Sequence, residues 1–198
     1  MAEKERSMYI VALNGSHNDD GNISYILNKT LKKCEELGAK TDIVNVYKAV
    51  TDAKNPFCIN CSTPCKRACY EGTLLEDAYE KVTNADFVII GSPVYFGSMT
   101  AQLKAFFDKT RDIRAKKLWL GKPMAAVSCG ASKYGGEERT VDAIHSCALV
   151  LGMTVVGTSA QIGMGHFGIS VQRPSEKDET ADMQIDALVE RIFAEIKK

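Results

Sequence analysis

Short apolar runs alternate along the chain with segments in which apolar residues recur every three to four positions. The run at residues 8–13, Met-Tyr-Ile-Val-Ala-Leu, is nearly continuous, which is typical of a strand buried on both faces. Residues 22–37 place Ile23, Leu27 and Leu31 on one stripe, which predicts an amphipathic helix. The same reasoning predicts strands at 41–46, 86–90, 124–129 and 153–159, and helices at 73–84, 100–111, 137–151 and 177–196.

The alternation of these elements predicts an α/β protein with a parallel sheet covered by helices on both faces. Two stretches are predicted without regular structure, residues 47–72 and residues 161–176. No repeat or linker divides the 198 residues, so we expect one domain over residues 1–198 with a cysteine-rich insertion at about 48–72. A weakly periodic stretch of that length in a compact domain is usually functional.

Composition narrows the class of function. Lys+Arg and Asp+Glu are both 25, so the formal net charge is zero and favours neither nucleic acid nor an anionic membrane as a partner. The N-terminus is polar, and no apolar run approaches the roughly 20 residues of a membrane span, so we expect a cytoplasmic protein. An odd number of cysteines, seven, argues there against a disulfide framework and for metal or redox chemistry.

Four of the cysteines fall within the insertion with the spacing C-x2-C-x3-C-x3-C, at Cys58, Cys61, Cys65 and Cys69. Thiols this close along the chain can converge on one centre, which suits an iron–sulfur cluster or a zinc ion. Structural zinc sites usually pair two knuckles across a longer spacer, so we favour a [4Fe–4S] cluster over zinc and over a loop without metal. The remaining cysteines are expected to fill the core, at Cys34, Cys129 and Cys147.

A polar loop at 14–24, Asn-Gly-Ser-His-Asn-Asp-Asp-Gly-Asn-Ile-Ser, joins the first predicted strand to a helix. N–H groups at a helix N-terminus, with Ser and Asn side chains, form an anion site. The loop lacks the lysine of a P-loop and the glycine pattern of a dinucleotide fingerprint, so it suits a phosphomonoester. Asp19 and Asp20 are then expected to point to solvent. The candidate phosphate-binding residues are Ser16, Asn18, Gly21, Asn22, Ile23 and Ser24.

A second loop at 91–97, Gly-Ser-Pro-Val-Tyr-Phe-Gly, follows the third predicted strand. In a sheet of order 2-1-3-4-5 the ligand site lies at the carboxyl ends of strands one and three, which sets this loop beside the first. Pro93 stiffens the turn, and Tyr95 and Phe96 offer flat apolar surface to a planar ring. The candidate ring-binding residues are Pro93, Val94, Tyr95, Phe96 and Gly97.

Together the two loops resemble those of the flavodoxin-like NADPH-dependent FMN reductase family, whose phosphate loop commonly runs Gly-Ser-x-x-x-x-Gly-Asn-[Thr/Ile]. The resemblance extends to the helix at 103–108, Leu-Lys-Ala-Phe-Phe-Asp, and covers nearly the whole chain. It implies non-covalent FMN and a flavodoxin-like, doubly wound, five-stranded parallel sheet of order 2-1-3-4-5, with the cysteine-rich loop after strand 2. It also implies at least a homodimer, with the helix at 102–108 as a candidate interface. A third loop is implied to contact the flavin through Ser128, Gly130, Tyr134, Gly135 and Gly136.

The cysteines narrow the resemblance to the iron–sulfur flavoproteins of this family, whose run is of the type C-x2-C-x2-C-x4–7-C. This chain departs from that run at the second and third gaps. The resemblance implies an oxidoreductase that passes electrons between FMN, a [4Fe–4S] cluster and a small acceptor or a ferredoxin-type carrier, with NAD(P)H as a candidate reductant. Two alternatives stay open, an NAD(P)H-dependent FMN or quinone reductase without a cluster, and a non-enzymatic carrier or redox sensor.

A literal Gly-x-Gly-x-x-Gly occurs at 163–168, where no predicted helix follows it. A dinucleotide fingerprint requires that helix, so we do not interpret these glycines as a nucleotide site. His166 and Phe167 belong either to a structural loop or to the substrate side of the flavin.

Overall fold

A parallel sheet runs through the centre of the computed structural model, which describes residues 7–132, 134–158 and 164–196. Its strands are β1 (Tyr9–Asn14), β2 (Lys40–Asn45), β3 (Phe87–Pro93), β4 (Pro123–Gly130), β5 (Thr154–Val155) and β6 (Ile169–Gln172). Neighbouring strands all pair in parallel, in the order β2-β1-β3-β4-β5, which confirms the predicted order.

Helices cover both faces of the sheet. They are α1 (Asn22–Glu36), α2 (Val46–Asp52), α3 (Leu74–Asn84), α4 (Ala101–Asp108), α5 (Arg111–Ala115), α6 (Glu137–Val150) and α7 (Ala181–Ile196), with a 3₁₀ turn at Ser175–Lys177. The single helix predicted at 100–111 is divided into α4 and α5. Thr110 lies at the division, where its hydroxyl donates to the carbonyl of Phe107 and competes with the helical pattern. No described helix has the length and apolar character needed to cross a bilayer.

The first strand is buried on both faces because its side chains alternate between two apolar clusters. Val11 and Leu13 pack with residues of α2 to α6. Ile10 and Ala12 pack on the opposite face with residues of α1 and α7. This is the two-residue period of a central strand, and it explains why residues 8–13 form a nearly continuous apolar run.

The edge of the sheet beside β4 differs from the prediction, because two short strands lie there instead of one. β5 is only two residues long and pairs with the start of β4, whereas β6 pairs with its end. The sequence predicted one strand at 153–159 and irregular chain at 161–176, and the second prediction was wrong where β6 lies. A Cβ on Gly157 would lie 2.2 Å from the carbonyl oxygen of His166, so this close approach of two backbone segments requires glycine at position 157.

The stretch predicted as irregular at 47–72 begins within a helix. α2 follows β2 directly, and the side chain of Asn45 caps it by accepting from the N–H of Lys48 at 2.9 Å. The helix is seven residues long, too short for its period to stand out in the sequence. Residues 53–73, here called the cysteine loop, form no helix or strand, so the four clustered cysteines lie in a loop as predicted.

Candidate functional site

The loop that joins β1 to α1 is organised by Asn14, a buried residue that the sequence analysis did not select. Its Oδ1 accepts from the N–H of Ser16 at 2.9 Å, and its Nδ2 donates to Ser24 Oγ at 2.9 Å and to the carbonyl of Asn18 at 3.1 Å. Ser16 Oγ in turn accepts from the N–H of Asn18 at 3.1 Å. The sequence contained one signal for this role, an asparagine at the last position of a buried strand, because buried polar groups need hydrogen-bond partners.

The N-terminus of α1 is suited to an anion. Its N-cap residue, Gly21, is extended, no side chain caps the helix, and its first turn contains no acidic residue. Asp20 is exposed, and Asp19 is drawn away from the helix by bonds from Lys48 and Asn45. Those two hydrogen bonds, the one from Lys48 first, lower the pKa of Asp19. The loop therefore presents N–H groups and hydroxyls without a competing carboxylate.

The first loop contacts both β3, at Gly91, and the loop that follows it, at Thr100. The N–H of Gly15 donates to the carbonyl of Gly91 at 2.7 Å, and Thr100 Oγ1 donates to the Gly15 carbonyl at 2.7 Å. A Cβ on Gly15 would lie 2.7 Å from the Gly91 oxygen, and a Cβ on Gly91 would lie 2.8 Å from Ile23 Cγ2. Both positions need the close approach that only glycine allows, and the structure brings the first two candidate loops together.

A tight turn forms the tip of the second loop. Tyr95 and Ser98 exchange both main-chain hydrogen bonds, at 2.9 and 3.1 Å. The two residues between them, Phe96 and Gly97, have φ of 52° and 72°, the left-handed pair that such a turn requires. The turn leaves the Phe96 ring fully exposed. A phenylalanine held in that conformation and in water is costly for the fold, which points to a functional role.

The third loop, after β4, rests against the second. A Cβ on Gly136 would lie 3.2 Å from Gly97 Cα and 3.3 Å from Val94 Cγ1, and the φ of Gly136 is 108°. Tyr134 also has a positive φ, 58°, and its side chain is 91% exposed. The three loops, residues 14–24, 91–100 and 128–137, thus meet at one end of the sheet, here called the carboxyl edge.

Two residues of the third loop serve the fold in ways the sequence did not reveal. Ser128 is buried, and its hydroxyl donates to the carbonyl of Glu137 at 2.9 Å. The carboxylate of Glu137 fills the space beside Gly130, where a Cβ would lie 1.8 Å from Oε1.

The side chain of Asn22, in the first loop, also serves the fold. Its Oδ1 accepts from the N–H of Ser175 at 2.8 Å and so holds the 3₁₀ turn. The side-chain oxygen of Asn22 is therefore engaged outside the first loop.

A cavity of about 750 Å³ lies beside the third loop, at the carboxyl end of β6. Its wall includes Tyr134 and the buried Glu137, together with the cationic side chains of Arg173 and Lys177. The cavity gives a small molecule access to the carboxyl edge from the side of β6. His166 and Phe167 are exposed, and Gly163 of the Gly-x-Gly-x-x-Gly pattern lies outside the described residues.

The seven cysteines are all free thiols, in different surroundings. Cys34 and Cys129 are buried as predicted, and burial raises the pKa of the Cys34 thiol to about 12. Cys147 is only partly buried because it lies on the side of α6 that borders solvent. In the cysteine loop Cys61 is exposed and the other three are partly buried. In the described part of the chain, no three His, Cys, Asp or Glu side chains are arranged to hold one metal ion.

Several contacts anchor the C-terminal part of the cysteine loop, where Tyr70 is buried and both Arg67 and the N–H of Gly72 donate to the Glu76 carboxylate. The guanidinium of Arg111 donates to the carbonyl of Ser62 at 3.0 Å and to Thr63 Oγ1 at 3.1 Å. The N–H of Lys54 donates to the carbonyl of Cys69 at 2.9 Å, which joins the two ends of the loop. The four sulfurs can share one centre only if the chain between these anchors closes around it.

Comparison with known proteins shows which family this chain is similar to. The family model described as NADPH-dependent FMN reductase matches residues 8–167. An iron–sulfur flavoprotein of Methanosarcina thermophila is 34% identical over 186 residues, which are 89% of this chain and 88% of that protein. An NAD(P)H dehydrogenase (quinone) of Chromohalobacter salexigens is 40% identical, but over 72 residues, 36% of each chain.

Among solved structures, a WrbA-like flavodoxin from Agrobacterium tumefaciens superimposes with a TM-score of 0.65 at 18% identity, covering 96% of this chain and 98% of that one. A likeness at that identity shows the fold, which is flavodoxin-like. The match to the family model is more specific than the fold, because residues 8–167 include the three loops of the carboxyl edge and the cysteine loop. The chain therefore belongs to the NADPH-dependent FMN reductase family, and the Methanosarcina protein that it matches over most of its length carries the name iron–sulfur flavoprotein.

Proposed function

We propose that this flavin-dependent oxidoreductase binds the phosphate of FMN in the loop between β1 and α1, and the flavin ring between the loops that follow β3 and β4. The observation that carries the proposal is the meeting of these three loops beside the uncapped N-terminus of α1. When bound, FMN supplies the two-electron chemistry, and the protein binds and orients it.

The first loop fits a phosphate because its donors are neutral and converge on a helix N-terminus. The hydroxyl of Ser16 is fixed by its bond to the N–H of Asn18, and Ser24 is fixed by Asn14. We assign the phosphate to Ser16, Asn18, Gly21, Asn22, Ile23 and Ser24, with Ile23 acting through its main chain because its side chain is buried against Gly91.

The second and third loops fit a flat aromatic ring. The rings of Phe96 and Tyr134 are almost fully exposed, and both are held by positive φ, so a ligand that covers them removes a large apolar area from water. We assign the ring to the backbone and side chains of both loops, at Pro93, Val94, Tyr95, Phe96, Gly97, Gly130, Tyr134, Gly135 and Gly136. Ser128 supports this site from below through the start of α6.

We also propose that the cysteine loop holds a [4Fe–4S] cluster through Cys58, Cys61, Cys65 and Cys69. Four thiols at this spacing are a suitable donor set, and the 34% identical relative is named an iron–sulfur flavoprotein. The surroundings of Cys69 also fit a cluster. The buried ammonium of Lys109 donates to Cys69 Sγ at 3.1 Å and would face a negatively charged thiolate ligand. When bound, the cluster supplies single-electron transfer between the flavin and a carrier.

The proposal includes NAD(P)H or a ferredoxin-type protein as the electron donor or acceptor, and a homodimer or larger oligomer in the cytoplasm. The apolar groove between the second loop and α6, lined by Tyr95, Phe96, Met99 and Cys147, supports a second copy as partner. The odd number of cysteines, all free, supports a reducing compartment.

An NAD(P)H-dependent quinone reductase without a cluster is the second candidate function. The match to the Chromohalobacter enzyme favours it. In that case the carboxyl edge acts alone.

Anaerobic purification followed by FMN, iron and sulfide analysis tests the two functions. We expect one FMN and about four iron atoms per chain, with Cys61→Ser losing iron but keeping FMN. Cys147→Ser is the matched control, because it lies outside the cysteine loop, and should keep both. Iron well below four per chain in the wild-type protein, with FMN bound and bleached by NADPH, would favour the quinone reductase. A protein that binds FMN but reduces no acceptor would favour a redox sensor.

A further inference from the structure

Lys109 is a lysine in an unusual position, buried to 2% exposure at the C-terminal end of α4. Its ammonium donates to Cys69 Sγ at 3.1 Å, and this is the bond its side chain makes among the described residues. The two nearest acidic residues in sequence are engaged elsewhere. Asp108 pairs with Lys104, and Asp112 pairs with Lys116 at 2.8 Å.

A buried ammonium is strongly disfavoured unless a negative charge or several acceptors compensate it. A neutral thiol is a weak acceptor and carries no charge. The dipole at the end of α4 favours a cation only weakly, since the helix is eight residues long. The fold therefore places the ammonium of Lys109 against the sulfur of Cys69, where an anionic ligand group would compensate its charge.

We propose that Lys109 is a positioning residue for the iron–sulfur cluster, an inference that rests on the proposed function. It fixes the sulfur of Cys69 within the cysteine loop, and its charge stabilises the cluster in its reduced form. Reduction by one electron adds one negative charge to the cluster, so a fixed cation in contact with a ligand sulfur raises the reduction potential.

Lys109→Met tests this proposal because methionine fills a similar volume without the charge. Lys109→Arg restores the charge, and Lys104→Met is the matched control, since Lys104 lies on the same helix but is exposed and paired with Asp108. Each protein is purified anaerobically, and the potentials of cluster and flavin are measured by redox titration with electron paramagnetic resonance and absorbance.

We expect the cluster potential of Lys109→Met to fall by at least about 59 mV, a tenfold change in the equilibrium constant of a one-electron couple. The flavin potential should stay unchanged, and Lys109→Arg should recover most of the shift. Loss of iron from Lys109→Met with FMN retained, and its recovery in Lys109→Arg, would also support positioning. A cluster potential in Lys109→Met equal to that of the wild type would overturn the proposal.

Two further outcomes separate this inference from the proposed function. Loss of FMN and of cooperative unfolding in both Lys109 variants would assign the residue to the fold alone and overturn the inference while the cluster stands. A wild-type protein without iron would overturn the cluster itself, and the role of Lys109 with it.

Discussion

The carboxyl edge and the cysteine loop carry the two proposed centres, but they are built in different ways. At the carboxyl edge, the ends of adjacent parallel strands fix where each loop starts, and close glycine contacts join all three loops. The cysteine loop has no strand end to fix it, and its sulfurs are not arranged around a centre. A site on rigid elements is largely formed before its ligand arrives, whereas a site in a loop is completed by the ligand.

The largest effect on stability and FMN binding should come from Gly15→Ala, which disrupts the contact between the first and second loops. The new Cβ would lie 2.7 Å from the Gly91 carbonyl, which is backbone and cannot move aside. We expect the free energy of unfolding to fall by about 3 kcal/mol and FMN to be lost, as measured by urea denaturation and flavin fluorescence.

Gly72→Ala is the control for this change in the cysteine loop. No atom lies within 4 Å of its Cβ position, and only the φ of +72° opposes alanine, at a cost of about 1 kcal/mol. FMN binding should be unaffected. Equal losses in the two variants would show that the carboxyl edge is no more tightly built than the cysteine loop.

Asn14→Ala should have the second largest effect, because Asn14 holds the first loop together through three hydrogen bonds. The change leaves the buried N–H of Ser16 without its acceptor, and leaves the Ser24 hydroxyl with only its bond to the Asn18 carbonyl. We expect a loss of about 2 kcal/mol in the free energy of unfolding and a lower FMN affinity by equilibrium titration. Asn28→Ala, on the exposed side of α1, should change neither. Unchanged FMN affinity in Asn14→Ala would mean that the first loop does not bind the phosphate of FMN.

The sequence predicted the carboxyl edge well because its geometry follows from strand order. Once β1 and β3 are neighbours, the loops that leave them must meet, and Gly15 and Gly91 show it. The alternation of buried strands with amphipathic helices predicted the parallel sheet, and the family resemblance implied its order. Asn14 was missed because its role lies in bonds that close only after the loop has folded.

The cysteine loop was predictable in composition but not in its contacts. Lys109 and Cys69 are 40 positions apart, and their bond depends on how α4 packs against a loop that has no period of its own. β6 was missed for a related reason, since four residues between Gly168 and the Arg173-Pro174 turn give too short a pattern to count. Short elements and long-range polar contacts are set by packing, which a pattern along the chain does not record.

A smaller effect is expected from Arg111→Met, which removes two bonds that anchor the cysteine loop. The guanidinium is partly exposed, so the free energy of unfolding should fall by about 1 kcal/mol or less. The loop itself should open more often, which faster amide hydrogen exchange and faster proteolysis within residues 53–73 would show. Arg114→Met, which removes a bond to the Val150 carbonyl and none to the loop, is the control. Equal exchange in both variants would mean that other contacts anchor the loop.

The smallest effect concerns the link between the two regions, the ion pair of Asp19 in the first loop with Lys48 in α2, the helix that leads into the cysteine loop. The hydrogen bond from Lys48, and then the one from Asn45, lower the pKa of Asp19. Because the folded pKa lies below the unfolded value, the link is intact at neutral pH and is lost only as the pH falls through the folded pKa.

Lys48→Met should therefore raise the pKa of Asp19 toward its ordinary value of about 3.9, as followed by NMR titration of the carboxyl carbon. FMN affinity at neutral pH should stay within a factor of about two, since the pair is exposed and exposed pairs contribute little. Lys32→Met, a nearby exposed lysine without that bond, should leave the titration of Asp19 unchanged. A large loss of FMN affinity in Lys48→Met would show that α2 positions the phosphate loop, and the two regions would then be one site rather than two.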